Sequence, residues 1–412
     1  MKKPLLLSAP ALLLTVSVGM LSTPARAAPM SSAQLAEIND AIDAHGARWV
    51  AGETSVSVLD DEGRRSHLGA IIETNFETAP AAPSALGLPN EWDWRNVGGE
   101  NYLTPIKDQG LCGSCVAFGV IGALEAGMKI SNDAPDWNPN LSEQHLFSCG
   151  GGRCGSGWYV SSAMSYVNYS GVPTESCNSY ISGLFGHDKD CGRSCGDWDQ
   201  KTLRVESWEF VSNDVASIKA ALMESPVVTT MNVYQDFYAY QSGVYSQSWG
   251  SLVSGHCVTL IGWDEADECW IGRNSWGTGW GDGGYFKIAY GDSGIGQQTA
   301  RVNHFPTLRV FANPSDFVVG GDASVGVSVV NDGDSHSGQV EVWVERKGGG
   351  KQVYFEGQPT LGPGFEYFDS DAFPFESIPA ASVGDYTFYG AIRSANGKAT
   401  HSCSELQISV TP

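Results

Sequence analysis

Ten cysteines are distributed unevenly along this 412-residue chain, and seven of them lie within residues 112–195. Lys2 and Lys3 follow the initial methionine, and then come an apolar stretch from Leu5 to Leu21 and small residues up to Ala27. That pattern predicts a secretory signal peptide, residues 1–27, and an oxidising destination in which most cysteines form disulfides. We therefore expect disulfides to constrain residues 112–195. Because seven is odd, one thiol in this region is expected to stay unpaired. An unpaired thiol in a secreted protein indicates a chemical role for that cysteine.

Charge and hydropathy restrict the possible partners. The chain has 24 basic and 46 acidic side chains, and its formal net charge of −22 argues against binding to nucleic acid or to anionic membrane surfaces. The apolar leader could be a membrane anchor, but a small-residue cleavage site follows it directly, so we expect a secreted protein, extracellular or periplasmic. No later stretch has the about 18 apolar residues of a spanning helix. We expect the mature protein to lack an integral membrane segment and to be a monomer.

The first segment after the leader, residues 28–87, is short and free of cysteine. A capping box at residues 31–34 predicts the start of a helix, and Gly46 predicts its end. A second amphipathic stretch covers residues 68–72, and the alanine- and proline-rich residues 79–83 predict an exposed linker. The segment is therefore either a small N-terminal subdomain or a removable pro-segment.

Residues 88–305 carry two different apolar patterns. The first half contains a helical pattern whose apolar residues share one face, namely Ala117, Val120, Ile121, Leu124 and Met128. The second half contains strand-like runs at residues 226–230, 257–261, 270–271 and 285–288. Helices followed by strands predict an α+β fold of two lobes with a cleft between them.

Residues 306–412 have a β pattern throughout. Valines alternate at positions 325, 327 and 329 and again at positions 340, 342 and 344. Asn396-Gly397 lies between two strand-like runs and predicts a β-hairpin. Because turn residues recur about every ten positions, we expect an all-β sandwich of immunoglobulin-like size.

The segment CGSCVAF is the most informative motif in the chain. Cys115 is predicted at the N-terminus of an amphipathic helix, where the helix dipole and free N–H groups stabilise a thiolate. The thiolate is the reactive form, so this position suits a nucleophile in covalent catalysis. Cys112 and Cys115 could instead be a redox or metal pair. No thioredoxin-like strand precedes them, and the nearest second pair for zinc is Cys149 with Cys154.

A cysteine nucleophile needs a base, and the base needs a group that orients it. His256 begins an apolar strand, and Asn274 begins the run NSWGTGWG. Two antiparallel strands joined by the polar turn at residues 264–268 would bring His256 beside Asn274, which can accept a hydrogen bond from the imidazole. Trp276 would cover that hydrogen bond from water. A histidine beside a strand is more often structural, and only the neighbouring motifs favour catalysis here.

Five segments together resemble the papain-like cysteine peptidases, the cathepsin family. They are LPNEWDWR at 88–95, TPIKDQGLCGSCVAF at 104–118, LSEQHLFSC at 141–149, GHCVTLIGWD at 255–264 and NSWGTGWGDGGYFKI at 274–288. The resemblance covers about half of the chain. It implies a helical lobe and a β-barrel-like lobe before the sandwich, and a peptidase that needs neither a metal nor a cofactor.

The resemblance also implies a role for individual residues. Cys115 corresponds to the nucleophile, His256 to the general base and acid, and Asn274 to the residue that orients the imidazole. Gln109 corresponds to the side-chain donor of the oxyanion hole, and the Cys115 backbone N–H would be the second donor.

Three further positions are candidate substrate-binding residues. Gly157 corresponds to the glycine that pairs with the substrate backbone, Ser156 replaces another glycine of the family pattern, and Trp276 is the third. The expected activity is hydrolysis of protein or peptide substrates by a secreted endopeptidase made as a zymogen. The alternatives are a catalytically inert binding or adhesion protein on the same scaffold, and a peptide ligase or transferase that uses the same acyl-enzyme.

The resemblance implies which cysteines pair. Cys115 stays free, while Cys257 and Cys269 are expected to be buried in strands, and Cys403 has no partner in its own domain. The implied disulfides are Cys112–Cys154, Cys149–Cys191 and Cys177–Cys195.

Overall fold

A computed structural model describes residues 28–82 and 87–304 without interruption. Beyond them it describes residues 307–412 with gaps at 314–316, 319, 332–335, 347–349, 362–364, 376–377, 379–381, 383 and 395–399. The predicted signal peptide, residues 1–27, and the predicted turn at Asn396-Gly397 lie outside the described residues.

The N-terminal segment packs on a β-rich lobe through buried apolar side chains such as Ile38 and Trp49. Its elements are α1 (Ser32–His45), β1 (Arg48–Ala51) and α2 (Asp61–Ser66). The capping box is confirmed, because the Ser31 hydroxyl accepts from the Gln34 backbone N–H and the Gln34 side chain accepts from the Ser31 N–H. Gly46 ends α1 with φ at 64°, in the left-handed region.

The amphipathic stretch at residues 68–72 does not continue as a helix. α2 ends at Ser66, and the chain beyond it is extended, with Ala70 in a parallel β-bridge to Trp158. The backbone hydrogen bonds of this extended part go to residues 158 and 255, which are far away in sequence. Tertiary hydrogen bonds therefore override the local spacing of the apolar side chains.

The helical lobe and its short strands come next in the chain. They are β2 (Glu91–Asp93), α3 (Cys115–Ser131), α4 (Glu143–Gly150), α5 (Val160–Tyr169), β3 (Val172–Pro173), α6 (Ser182–Phe185) and β4 (Thr202–Leu203).

The second lobe is built on one large sheet. Its elements are β5 (Val205–Val211), α7 (Val215–Glu224), β6 (Val227–Tyr234), β7 (Tyr240–Tyr245), β8 (Leu252–Asp264), β9 (Cys269–Arg273), β10 (Tyr285–Ala289) and β11 (Thr299–His304). The strand order is β1-β7-β10-β9-β8-β6-β11-β5, and β2 also pairs with β8. All four strand-like runs are confirmed, in β6, β8, β9 and β10. The N-terminal segment supplies β1 at one edge of this sheet.

Helix α3 lies between the two lobes. Its residues from Cys115 to Lys129 are all buried, so the predicted amphipathic face is wrong and the helix is enclosed. It packs directly on β8, because a side chain at Gly119 would place its Cβ 2.9 Å from the Cys257 Sγ. The Thr259 hydroxyl on β8 also donates to the Gly119 carbonyl at 3.0 Å. This close contact fixes the first residue of α3 against the sheet.

The C-terminal region is the expected all-β sandwich. Its strands are β12 (Thr307–Asn313), β13 (Phe317–Val318), β14 (Ala323–Asn331), β15 (His336–Arg346), β16 (Lys351–Gly357), β17 (Thr360–Leu361), β18 (Phe365–Phe375), β19 (Gly384–Ser394) and β20 (Thr400–Thr411). One sheet has the order β12-β14-β18, and the other has the order β13-β20-β19-β15-β16 with β17 on β15. The alternating valines of β14 and β15 are buried in the core between them.

The sandwich contacts the helical lobe through polar groups. The Glu405 carboxylate accepts hydrogen bonds from the Thr174 and Ser176 hydroxyls at 2.9 and 3.0 Å. Lys201 forms an ion pair with Glu345 at 2.9 Å. The overall architecture is therefore an α+β unit of two lobes with an attached sandwich.

Three disulfides are present, and they are the pairs that the resemblance implies. They are Cys112–Cys154, Cys149–Cys191 and Cys177–Cys195. The free cysteines Cys115, Cys257, Cys269 and Cys403 are buried. Because Cys112 is bonded to Cys154, it does not form a redox or metal pair with Cys115. In the described ranges, no helix has both the length and the apolar character needed to cross a membrane.

Candidate active site

Cys115 is the first residue of α3 and lies at the bottom of the cleft between the lobes. The Cys112–Cys154 disulfide holds the preceding loop, and the Gly113 N–H donates to the Cys154 carbonyl at 3.1 Å. The backbone N–H groups of Cys257 and Gly69 lie near the Cys115 sulfur and act to lower its pKa. The thiol therefore lies next to β8, beside Cys257, which is the residue that follows His256.

His256 and Asn274 meet as the strand geometry predicts. β8 and β9 are antiparallel neighbours, and Asn274 directly follows β9. The His256 Nε2 and the Asn274 Oδ1 are 2.8 Å apart, and His256 lies inside β8 and not at its start. The Trp276 ring covers the imidazole at 4.8 Å between centroids. The other ring nitrogen, Nδ1, has no hydrogen-bond partner among the described residues and is left available to a reacting group.

Gln109 is carried by a short stretch that links the lobes. The Gln109 N–H donates to the Ser275 carbonyl at 2.9 Å, and Asp108 forms a bridge with Trp276. The Gln109 Nε2 donates to the Cys112 carbonyl at 2.8 Å, while its Oε1 accepts from the Ser275 hydroxyl at 2.7 Å. These bonds orient the amide so that its N–H₂ group points to the Cys112–Cys115 loop.

Burial favours the neutral forms of the Cys115 thiol and the His256 imidazole. It raises the pKa of the Cys115 thiol to about 12, although backbone N–H groups oppose that shift. It lowers the pKa of His256 to about 4, against the hydrogen bond to Asn274, and the nearby His67 lowers this pKa further. A neutral thiol is a poorer nucleophile than a thiolate, so burial disfavours the reactive form of Cys115.

The N-terminal segment runs through the cleft and passes beside Cys115. The Gly69 and Ala70 N–H groups donate to the Gly255 carbonyl, both at 3.2 Å. Trp158 donates to the Gly69 carbonyl at 2.7 Å and accepts from Ile71 at 2.9 Å. A polypeptide can therefore lie across Cys115 with its backbone bonded to both walls of the cleft.

Glycine is required where this segment passes closest to Cys115. A Cβ at Gly69 would lie 2.1 Å from the Gly113 carbonyl oxygen. A Cβ at Gly157 would lie 2.0 Å from the Gly69 carbonyl oxygen. Such distances are far below van der Waals contact, so neither position tolerates a side chain while the segment is in place.

The candidate substrate-binding residues take different positions. Gly157 lines the cleft, but it is its neighbour Trp158 that supplies both backbone hydrogen bonds. Ser156 is exposed, and its N–H bonds to the Arg153 carbonyl. Trp276 is buried behind His256. Trp158 was missed by the sequence analysis, although its place directly after Gly157 is a usable signal.

Family comparison identifies the peptidase unit. Residues 88–304 match the model of the papain family cysteine proteases. The chain belongs to the papain family. Its relatives include a gut-specific cysteine proteinase of Caenorhabditis elegans, 31% identical over 61% of this chain and 82% of the relative. A cathepsin B-like protein, CP3, of Giardia intestinalis is 32% identical over 50% of this chain and 70% of the relative.

Solved structures agree with this fold. A digestive procathepsin L2 proteinase of Tenebrio molitor larval midgut superposes with a TM-score of 0.56 and 26% identity, covering 66% of this chain and 89% of that one. A procathepsin B of Trypanosoma congolense gives a TM-score of 0.57 at 22% identity, covering 66% of this chain and 98% of that one, which shows the fold. This chain is a cysteine peptidase of the papain family, a hydrolase of peptide bonds.

Proposed function

We propose that the chain is the zymogen of a secreted cysteine endopeptidase whose nucleophile is Cys115. The main support for the proposal is the arrangement of residues in the cleft. A buried thiol at a helix N-terminus lies beside a histidine–asparagine pair, and the chain's own residues 69–71 are bonded across it. The three disulfides and the leader pattern support secretion, because disulfides persist in oxidising compartments.

The residues take the following roles in this proposal. Once the cleft is open to water, the Cys115 thiol transfers its proton to His256 Nδ1, and the thiolate attacks the peptide carbonyl. The Gln109 side chain and the Cys115 N–H stabilise the oxyanion. His256, oriented by Asn274, gives the proton to the leaving amine. Water then hydrolyses the acyl-enzyme on Cys115.

Residues 28–87 act as the pro-segment in this proposal. The similarity to the solved procathepsins extends over 66% of the chain, more than the roughly half that the family model matches. The segment also blocks Cys115 from solvent and keeps the thiol and the imidazole neutral. Inhibition thus combines steric exclusion of substrate with burial of the thiol, and cleavage near residues 79–87 would release the enzyme.

Endopeptidase action is supported by the way the segment passes through the cleft. The chain enters from α2 and leaves toward Phe76, which packs on Phe210. The cleft therefore holds the middle of a polypeptide, with chain continuing on both sides. An internal stretch of a protein substrate would fit in the same manner.

Product analysis tests this function against its alternatives. We expect the processed protein, incubated with a defined peptide mixture, to produce fragments whose summed mass exceeds the parent by one water. Mass spectrometry reads this directly. Joined peptides would instead show a ligase or transferase, and an unchanged mixture would show an inert scaffold. Either result contradicts the proposal.

The sandwich is expected to be dispensable for cleavage of short peptides. Its polar contacts go to residues 136, 174, 176 and 200–202, on the helical lobe and apart from the site residues. A chain ending at His304 should retain its kcat/KM on a short peptide within about twofold. Its Tm should fall by about 5 °C, because a few hydrogen bonds of about 1 kcal/mol each are lost.

The same truncated chain can also show that the sandwich is needed for cleavage of short peptides. Circular dichroism and thermal unfolding establish whether it is folded. If it is folded and yet does not cleave short peptides, the sandwich contributes to the active site and the proposed boundary at residues 305–306 is wrong.

A further inference from the structure

Tyr180 lies between β3 and α6 and contacts the loop that precedes Cys115. Its hydroxyl donates to the Gln109 carbonyl at 2.8 Å and lies 2.7 Å from the Ser114 Oγ. Because a phenol has one hydrogen and a carbonyl only accepts, the Ser114 hydroxyl donates to the Tyr180 oxygen. Gln109 carries one proposed oxyanion donor, and Ser114 directly precedes Cys115, whose N–H is the other. A single hydroxyl therefore links the two residues that place these donors.

The Ser114 hydroxyl is turned away from the helix that it precedes. Ser114 is the N-cap of α3, and a serine at this position ordinarily accepts a hydrogen bond from an N–H of the first turn. Here the fully buried side chain makes no capping bond. Its hydroxyl contacts Tyr180, and the Cys112 carbonyl lies 3.3 Å from it. The hydroxyl therefore does not compete with an oxyanion for the N–H groups at the start of α3.

Tyr180 is itself held in place by three kinds of contact. Its backbone N–H donates to the Glu175 carboxylate at 2.6 Å. Its ring packs edge-on against Phe118 of α3, with 4.8 Å between the ring centroids. The next two backbone N–H groups both donate to the buried Gln144 side chain at 2.9 Å. The phenol hydroxyl is therefore fixed relative to the first turn of α3.

The segment that carries Tyr180 also touches the Gln109 backbone directly. A Cβ at Gly183 would lie 2.1 Å from the Gln109 carbonyl oxygen, and the Leu111 N–H donates to the Gly183 carbonyl at 3.0 Å. The Gln109 N–H donates in the other direction, to Ser275 just after β9. The carbonyl side of Gln109 is thus oriented from the helical lobe. Loss of the Tyr180 hydrogen bond would free this peptide unit to rotate and would shift the side chain that carries Nε2.

We propose that Tyr180 is a positioning residue that fixes the two oxyanion donors relative to each other. The inference rests on the proposed function, which assigns Gln109 and the Cys115 N–H to the oxyanion. Donors stabilise a transition state best when they are oriented before the charge develops. Burial raises the pKa of the Tyr180 hydroxyl above its usual value, so the phenol stays protonated and remains a donor at neutral and acidic pH.

The test is Tyr180→Phe, which removes the hydroxyl and keeps the ring against Phe118. In the processed enzyme we expect kcat on a fluorogenic peptide to fall about tenfold, a part of the about 10²–10³-fold loss that follows removal of an oxyanion donor. KM should change by less than about twofold, because the oxyanion forms only in the transition state. The pH limits of kcat/KM should not move, because Cys115 and His256 are unaltered.

Tyr166→Phe is the matched control. Tyr166 is another partly buried tyrosine of the helical lobe, and its hydroxyl lies 3.0 Å from the His145 Nε2. This variant loses the same atom at a place that does not touch Gln109 or Ser114, so its kcat should stay within about twofold of the unaltered enzyme. Ser114→Ala removes the partner hydroxyl and leaves the tyrosine in place. It should lower kcat about threefold, and it tests the inference even if Tyr180→Phe does not fold.

A double-mutant cycle separates positioning from a general effect on stability. In a Gln109→Ala background, Tyr180→Phe should lower kcat by about threefold or less, because one of the donors that the hydroxyl orients is gone. An unchanged kcat, an equal loss in both backgrounds or a shift of the pH limits overturns the inference and leaves the peptidase function standing. Absence of any cleavage by the unaltered processed enzyme overturns the proposed function and the inference with it.

Discussion

Replacing Cys115 with alanine is expected to abolish hydrolysis of peptide bonds while the fold survives. The sulfur is the only group in the cleft that can form the acyl-enzyme in our mechanism, so kcat/KM should fall by about 10³-fold or more. The substitution removes one buried atom at the start of α3 and leaves the Cys112–Cys154 disulfide in place. Hydrolysis of a fluorogenic peptide measures the loss, and circular dichroism measures the fold.

Cys269→Ala is the matched control for this experiment. Cys269 is also a free, buried cysteine, but it lies at the start of β9, in the turn region away from His256. Its replacement should leave kcat/KM within about threefold. If Cys115→Ala retained activity comparable to this control, Cys115 would not be the nucleophile.

Replacing Gly69 with valine is expected to activate the unprocessed chain. A side chain there would collide with the Gly113 carbonyl and displace the segment from the cleft. The backbone hydrogen bonds to Gly255 and Trp158 would be lost, at about 1 kcal/mol each. Losing two of them alone corresponds to an increase in the open state on the order of 30-fold.

The measurement is peptide hydrolysis by freshly purified full-length protein whose intact mass shows no cleavage. Asn75→Ala is the control, because Asn75 is an exposed residue of the same segment. It should stay as inactive as the unaltered chain. If the unaltered full-length chain were as active as the Gly69→Val variant, residues 28–87 would not inhibit the peptidase.

The proximity of His256 to Asn274 could be anticipated because it depends on local strand geometry. Two antiparallel strands joined by a short turn lie side by side, and in the observed register this places His256 near Asn274. The Cys115 position follows in the same way from a loop that enters a helix. Local sequence patterns indicated where these residues lie, and the resemblance to the papain-like peptidases implied their roles.

The burial of α3 could not be anticipated from its pattern. Glu125 and Lys129 suggest a solvent-exposed face, yet both are buried. Glu125 pairs with Lys107 at 2.9 Å, and the Lys129 Nζ donates to the Leu103 carbonyl at 2.9 Å. Both partners come from the loop that precedes α3, and spacing within the helix does not reveal them.

The extended path of residues 68–72 and the hydrogen bonds of Glu73 could not be predicted from the sequence, for a related reason. The extended segment is fixed by Gly255 and Trp158, and Glu73 is fixed by Ser161 and Gln298. Each contact joins parts of the chain that are about 90 residues or more apart. Periodicity carries no information on such pairings, so only the folded structure shows them.

The central claim is that Cys115 is a nucleophile which the pro-segment buries and keeps protonated. Iodoacetamide labelling followed by peptide mapping tests it directly, on the full-length chain and again after removal of residues 28–87. We predict no label on Cys115 at full length and rapid, preferential labelling of Cys115 in the processed, active enzyme. An active processed enzyme labelled only at Cys257, Cys269 or Cys403, with Cys115 unmodified, would contradict the account.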